Sequence, residues 1–406
     1  MKPNLAHADP LQNASGPNKT RLEPASARSE RDLLLFAASC FRGDDPRARP
    51  GRFADAEYWP QVVDFANREL LAPALWSALL QQRRASSVPA AQADRLRHAH
   101  AINGIRNERI RAELESILRA LNAACIVPVL LKGAVDLYIS RYADPAARVM
   151  RDLDLFVLES DHPRAIAALA QVGYRVKERG SGWLTSATDL VRKGALMPVD
   201  LQWLISGQRD VLSPEEGWAG STVHRVGDIE FRTLSPEHQV VHNLLHSELQ
   251  DRGSDIGFVW LRQLVDFDAL CRLHLGTIGW REVRQRFARR GVAHVPVARL
   301  YMANRLLGLP MPPDMAPTLR ARLHYARCLT LLRSRWVLAL AGLIATVRST
   351  LDKRLLQTIY ADAGGRRSIA WLRLRHTLRL LRHYGGNLSQ VWRDRTRKFN
   401  WKQTLS

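Results

Sequence analysis

The segment Val149 to Leu158 reads VMRDLDLFVL, and at its centre acids and aliphatic residues alternate. In an extended strand successive side chains point to opposite faces. Asp152 and Asp154 therefore share one side, and Leu153, Leu155 and Val157 fill the other. A strand with one apolar face must lie in a sheet covered on that face, so the chain needs an α/β or α+β core at this point. Two carboxylates held a few ångströms apart repel unless a proton or cation sits between them, which makes the pair a candidate divalent-metal site.

Upstream, IVPVLL (126 to 131) is a short β-branched strand, followed by Lys132 and Gly133, a glycine placed where a strand-to-helix turn needs close backbone approach. The pattern predicts a helix over 134 to 142, broken at Asp144-Pro145. Downstream, DHPRAIAALAQVGYRV gives a helix start, an apolar face and a glycine stop, returning to a strand near Tyr174 to Lys177. The segments WLTSATDLVRK and MPVDLQWLI read as further strands. In the last of them Asp200 alternates with Val199, Leu201 and Trp203. If that strand lies beside the Asp152 strand, three carboxylates converge on one polar face.

The flanks are helical. Residues 31 to 124 carry apolar positions at helical spacing, with a long pattern over 90 to 124. From Leu234, Ser235 is placed as an N-cap and Pro236 in the first turn, and His238, His242 and His246 recur along one helical face. That face reads as packing against the sheet, with His246 toward substrate, rather than as a metal site. Asp136 and Asp144 read as a helix-surface charge and a turn residue. The resulting division is a disordered tail over 1–30, a helical segment over 31–124, an α/β core over 125–233 and a basic helical region over 234–406.

Charge narrows the partners. The net charge is +21, and from Arg320 to the end 19 Lys/Arg stand against 3 Asp/Glu. Such an excess attracts polyanions: nucleotide phosphates, nucleic acid or an anionic membrane surface. The aromatic residues Trp371, Tyr384, Trp392 and Trp401 interleave with the arginines of this tail. The longest apolar run, Trp336 to Val347, is too short to span a bilayer and reads as a buried helix, with an interfacial helix as the alternative. Four widely spaced cysteines suggest neither a disulfide framework nor a zinc ribbon, so a cytoplasmic location, peripheral to the membrane at most, is expected.

The order strand, LKG, Arg148, Asp152-Leu153-Asp154, a helix ending in Gly-Tyr and then Val199-Asp200-Leu201 resembles the nucleotidyltransferase superfamily of the DNA polymerase β type. More closely it resembles the bacterial family described as uncharacterised nucleotidyltransferases. The motifs lie within roughly 126 to 205, with looser matches at the LSPE start at Leu234, the LLH ending at His246 and the WLRQLVD run from Trp260 to Asp266. The resemblance implies that Asp152 and Asp154 bind the metals of nucleotidyl transfer, two Mg²⁺ ions with Mn²⁺ as the alternative. Asp200 takes the place of the third acid, a metal ligand or base. Lys132 and Gly133 stand where the superfamily cradles nucleotide phosphate, and Arg148 is placed to form a fork to it. The chain departs from the wider pattern at Ala134, where Ser is usual, and at Gln202, where the close family commonly has His.

The implied reaction moves a nucleoside monophosphate from an NTP, ATP among them, to an unidentified hydroxyl or phosphate acceptor and releases pyrophosphate. The alternative is a catalytically inactive adaptor with this fold that binds nucleic acid or a membrane surface through its basic C-terminal region.

Overall fold

The computed structural model describes residues 29–42, 56–177, 187–251, 253–333 and 368–385, together with 344, 351 and 356. The expectations for the N-terminal tail, for the run Trp336 to Val347 apart from Ile344, and for the chain beyond 385 fall outside these residues.

Seven strands form one mixed sheet in the order β3-β4-β5-β2-β1-β7-β6. They are β1 (Val129–Leu130), β2 (Leu153–Phe156), β3 (Arg175–Val176), β4 (Ala187–Val191), β5 (Val199–Gln202), β6 (Thr222–Val226) and β7 (Ile229–Thr233). β2 runs parallel to β5 and antiparallel to β1, which is itself parallel to β7. The mixed α/β architecture is the one expected. Alternation decides which residues face where: Leu153, Leu155, Val157, Val199 and Leu201 join one hydrophobic core, leaving Asp154 and Asp200 on the opposite face.

Three short helices, α1 (Glu30–Phe41), α2 (Trp59–Arg68) and α3 (Ala72–Gln81), precede the 34-residue α4 (Ala90–Ala123). At 1.5 Å per residue α4 is about 50 Å long, and it joins two cores. Its N-terminal Leu96 and Ala99 pack with α1 to α3 and with helices that follow residue 234. Its C-terminal Ile110, Leu114, Ile117, Leu118 and Leu121 cover the apolar face of the sheet, together with Ala165 and Leu169 of α6 (His162–Gln171). Each fully buried aliphatic side chain contributes roughly 1.5–3 kcal/mol, so this stripe alone is a large share of the core's cohesion.

Between those two apolar stripes α4 buries polar residues. Asn103 Nδ2 donates to the carbonyls of Ala146 (2.7 Å) and Arg148 (2.9 Å), and Asn107 Nδ2 to those of Pro145 (2.8 Å) and Arg148 (3.0 Å). Arg106, also buried, donates to the Met150 carbonyl. The connection into β2 has no sheet partner of its own here, so these side chains supply the bonds its buried carbonyls require.

The segment after β1 differs from expectation. The helix α5 is a single turn, Gly133–Asp136, rather than a helix to 142. Arg141 folds back and donates to both Asp136 oxygens and, at 2.9 Å, to the Lys132 carbonyl. Asp136 is accordingly buried in ion pairs with Arg141 and Arg148, not a helix-surface charge. Asp144 does serve its turn, accepting from the Ala146 amide at 2.8 Å, and also pairs with His100.

Beyond β7 come α7's successors in the chain. After α7 (Pro214–Ala219), helix α8 (Pro236–Leu244) is capped by the Ser235 side chain, which accepts from the His238 amide. It continues into a π-helical turn, Leu245–Gln250, then α9 (Gly253–Ile256), α10 (Leu261–Leu273), α11 (Trp280–Arg289), α12 (His294–Leu307) and α13 (Leu319–Leu331). A last helix, α14, spans Ile369–Gly385. Among the described residues no helix is long and apolar enough to cross a membrane.

Candidate active site

Asp154 lies directly opposite Asp200 in the parallel β2–β5 register. The two carboxylates are bridged: Gln202 Nε2 donates to Asp154 Oδ1 at 3.0 Å and to Asp200 Oδ2 at 2.7 Å. From β1, the Lys132 ammonium donates to Asp154 Oδ1 at 2.6 Å. Asp154 is 1% exposed, whereas Asp152 stands exposed just before β2.

Lys132 reaches this position through an unusual backbone, φ 46° and ψ −117°, a region that side-chain-bearing residues rarely adopt. The Arg141 bond to its carbonyl helps hold it there. Gly133 is required by packing. A Cβ at that position would stand 2.0 Å from Arg148 Nη1 and 2.9 Å from Met150 Cγ. What approaches Gly133 closely is thus the Arg148 side chain.

Arg148, expected to fork onto phosphate, has its guanidinium engaged within the protein. Its Nε and Nη2 donate to the two Asp266 oxygens at 3.1 and 3.0 Å, and it lies 3.2 Å from Asp136. Tyr142 also donates to Asp266. Burial would raise the Asp266 carboxyl, but Arg148, Arg141 and Arg262 hold it well below the usual carboxylate range. This network ties α5 and the loop before β2 to α10.

The acids titrate differently. Burial opposes the charge on Asp154, but the Lys132 ammonium keeps its pKa below the ordinary value. Asp152 is raised by desolvation in the surrounding protein and then by the Asp154 charge. Burial, then the Asp154 charge, lifts Asp200 to about 6. Burial disfavours the charged form of Lys132, yet Asp154, Asp152 and Asp200 together raise it. Asp200 Oδ1 is buried without a hydrogen-bond partner.

The Asp200 shift has a measurable consequence. A carboxyl whose folded pKa lies above its unfolded value withdraws stability as it ionises, so the loss sets in as pH rises from about 4 to about 6. Asp200→Asn is expected to raise the thermal midpoint at pH 7.5, by about 1–2 kcal/mol of stability, and to leave it little changed at pH 4. Paired thermal melts at the two pH values check this. A variant less stable than wild type at pH 7.5 contradicts the assignment.

Among the described residues no three His, Cys, Asp or Glu side chains close around a single metal-sized point. The Lys132 ammonium is the cation on Asp154 instead. The donor chemistry nonetheless suits a hard divalent ion: carboxylate oxygens side by side, one of them orphaned, with mutual repulsion to relieve.

A cleft open to solvent adjoins Lys132. Its wall includes Arg141, Arg148, His242, His246 and Arg262. Burial first, then Lys132 and His246, lower His242 to about 3, so its ring is neutral at ordinary pH. His242 and His246 both line the cleft beside Lys132. Arg141 and Arg262 were not singled out from the sequence. Arg262 sits inside the WLRQLVD run, which was its only signal.

Residues 55–308 match the model of a family described as uncharacterised nucleotidyltransferase. The chain belongs to this family. The match runs from ahead of α2 through the end of α12. The chain is also similar to a crystal structure of ANT(2″)-Ia in complex with adenylyl-2″-tobramycin, with 17% identity, a TM-score of 0.32 and coverage of 45% of this chain and 97% of that one. A solution structure of the antibiotic-resistance factor ANT(2″)-Ia gives 14%, 0.33, 47% and 96% respectively. No curated protein matches the sequence.

Proposed function

We propose that this nucleotidyltransferase transfers a nucleoside monophosphate from an NTP to a hydroxyl or phosphate acceptor, at the face of the sheet that carries Asp152, Asp154 and Asp200. The observation that carries the reading is the register of β2 and β5, which sets Asp154 and Asp200 side by side with Gln202 bridging them. Asp152, Asp154 and Asp200 would hold Mg²⁺, or Mn²⁺. When bound, such ions neutralise charge on the phosphates and on the attacking and leaving oxygens of an in-line displacement.

The chain's own residues do the rest. Asp200, whose Oδ1 has no hydrogen-bond partner, is the third metal ligand or the acceptor of the attacking hydroxyl's proton. Lys132 is the mobile cation. Its ammonium neutralises Asp154 before nucleotide binds and turns to a phosphate oxygen afterwards, a point charge on a flexible stem being suited to both positions. Gly133 and Arg148 contribute differently from a direct phosphate cradle: the glycine makes room for the arginine, and the arginine fixes the loop from which Asp152 projects.

The test is incubation of the full chain with α-labelled NTPs, a divalent metal and candidate acceptors, beside Asp152→Asn. Label transfer or pyrophosphate release that falls at least about 100-fold in the variant supports the reading. Equal turnover in both proteins, or RNA or liposome binding as the sole activity of a protein that binds no nucleotide, contradicts it.

A further inference from the structure

The cations that line the cleft beside Lys132 are not all held in short ion pairs. Four cationic side chains reach its lining: Lys132, Arg141, Arg148 and Arg262. Lys132 is matched by Asp154, Arg141 by Asp136, and Arg148 by Asp266. Arg262, in the first turn of α10, makes neither a hydrogen bond nor an ion pair with any described residue. Asp266 and Asp152 act on its charge only from beyond ion-pair distance.

From this we infer that Arg262 receives the outer phosphates of the nucleotide and then the departing pyrophosphate, so that α10 forms part of the nucleotide site. The inference rests on the transferase reading above and extends it to a residue outside the alternating strands. Three observations converge. The first is pairing: of the four cations in the lining, Arg262 is the one whose guanidinium makes no hydrogen bond or ion pair among the described residues. The second is position. Arg262 and Lys132 line the same cleft, and the Lys132 ammonium bonds Asp154. A triphosphate whose α-phosphate sits at the acids would extend its tail past Lys132 toward Arg262. The third is the environment. His242 is neutral and adds no competing charge, and burial disfavours Arg262's charge by more than Asp266 and Asp152 restore, so a bound anion would favour it further. A planar guanidinium with free donors takes a phosphate bidentately, which a lysine cannot.

Because Arg262 makes no hydrogen bond or ion pair among the described residues, removing it breaks none there, and the thermal midpoint reads any loss of its longer-range support of Asp266 apart from binding. The experiment is isothermal titration of the full chain, in Mg²⁺ buffer without acceptor, with inorganic tripolyphosphate, pyrophosphate and a non-hydrolysable ATP analogue. Wild type is compared with Arg262→Ala and Arg262→Lys. The expected result is tripolyphosphate and pyrophosphate affinity lower by about 10–100-fold in Arg262→Ala, partly restored in Arg262→Lys, with thermal midpoints close to wild type. The NTP KM should rise and the dependence on salt weaken.

Tripolyphosphate affinity in Arg262→Ala equal to wild type overturns the inference while leaving the transferase reading intact. A loss confined to an acceptor, with polyphosphate binding unchanged, also overturns it. Wild type that binds neither polyphosphate nor the ATP analogue overturns both together. Should Arg262→Ala fail to fold, Arg262→Lys and Arg262→Gln carry the comparison, and equal affinity in both again rejects it.

Discussion

Asp154→Asn is expected to reduce nucleotidyl transfer by about 1,000-fold or more, the largest activity loss of any single carboxylate in the site. Asp154 is the most enclosed of the three acids and the one every other group addresses: Lys132 and Gln202 both donate to its Oδ1, and its charge raises Asp152 and Asp200. An amide in its place cannot neutralise a cation, and one of its two heavy atoms presents hydrogens toward the Lys132 ammonium. The substitution also leaves Lys132 without its counter-ion, which costs roughly 1–3 kcal/mol, less than for a fully sealed pair because Lys132 is 26% exposed. These two effects separate in a cycle with Lys132→Met. The double variant should be more stable than the sum of the two single losses by about 1 kcal/mol, since no orphaned charge remains, while staying inactive. Chemical denaturation and a labelled-NTP assay on the four proteins measure both. Transfer within tenfold of wild type in a folded Asp154→Asn would remove Asp154 from the chemistry.

The acidic strand was legible because its period is short and its residue types are extreme. One alternation places Leu153 and Leu155 in the core and Asp154 on the other face, and the same rule applied to Val199-Asp200-Leu201 yields the partner acid. What no period encodes is which strands become neighbours, and the parallel β2–β5 pairing had to be supplied by the structure. The ends of elements were less legible for a related reason. The helix expected over 134 to 142 stops after one turn because Arg141 finds Asp136 and the Lys132 carbonyl, contacts between residues whose identities look ordinary in any local window.

Buried polar residues were the least legible. Nothing in the helical pattern over 90 to 124 singles out Asn103, Arg106 or Asn107, yet they hold the loop that delivers β2. Asp266 and Arg262, more than 100 residues downstream of Asp152 and Asp154, complete the electrostatics of the same cleft. A charge on a helix is most often solvated, and only the fold reveals which ones meet. The helices after residue 234 thus belong to the site as much as to its support.

Gly133→Ala is expected to destabilise the protein by about 3–5 kcal/mol, enough to bring many domains of this kind close to unfolding. Conformational freedom is not the cause: the positive φ in this turn belongs to Lys132, not to Gly133. The added methyl would overlap Arg148 Nη1 at 2.0 Å, and Met150 Cγ at 2.9 Å closes the other route. Arg148 is the guanidinium of the Asp136 and Asp266 pairs and is nearly buried, so moving it leaves two carboxylates short of their counter-ion. Asp266 would still keep Tyr142, and Asp136 would keep Arg141, which limits the loss to the quoted range. A thermal melt reads the effect, and a second variant identifies its origin. Arg148→Ala should itself be strongly destabilising, but adding Gly133→Ala to it should cost less than 1 kcal/mol further, because the clash has lost its partner. If Gly133→Ala instead melts with wild type and only nucleotide binding is weakened, the glycine serves the phosphate directly and the packing explanation fails.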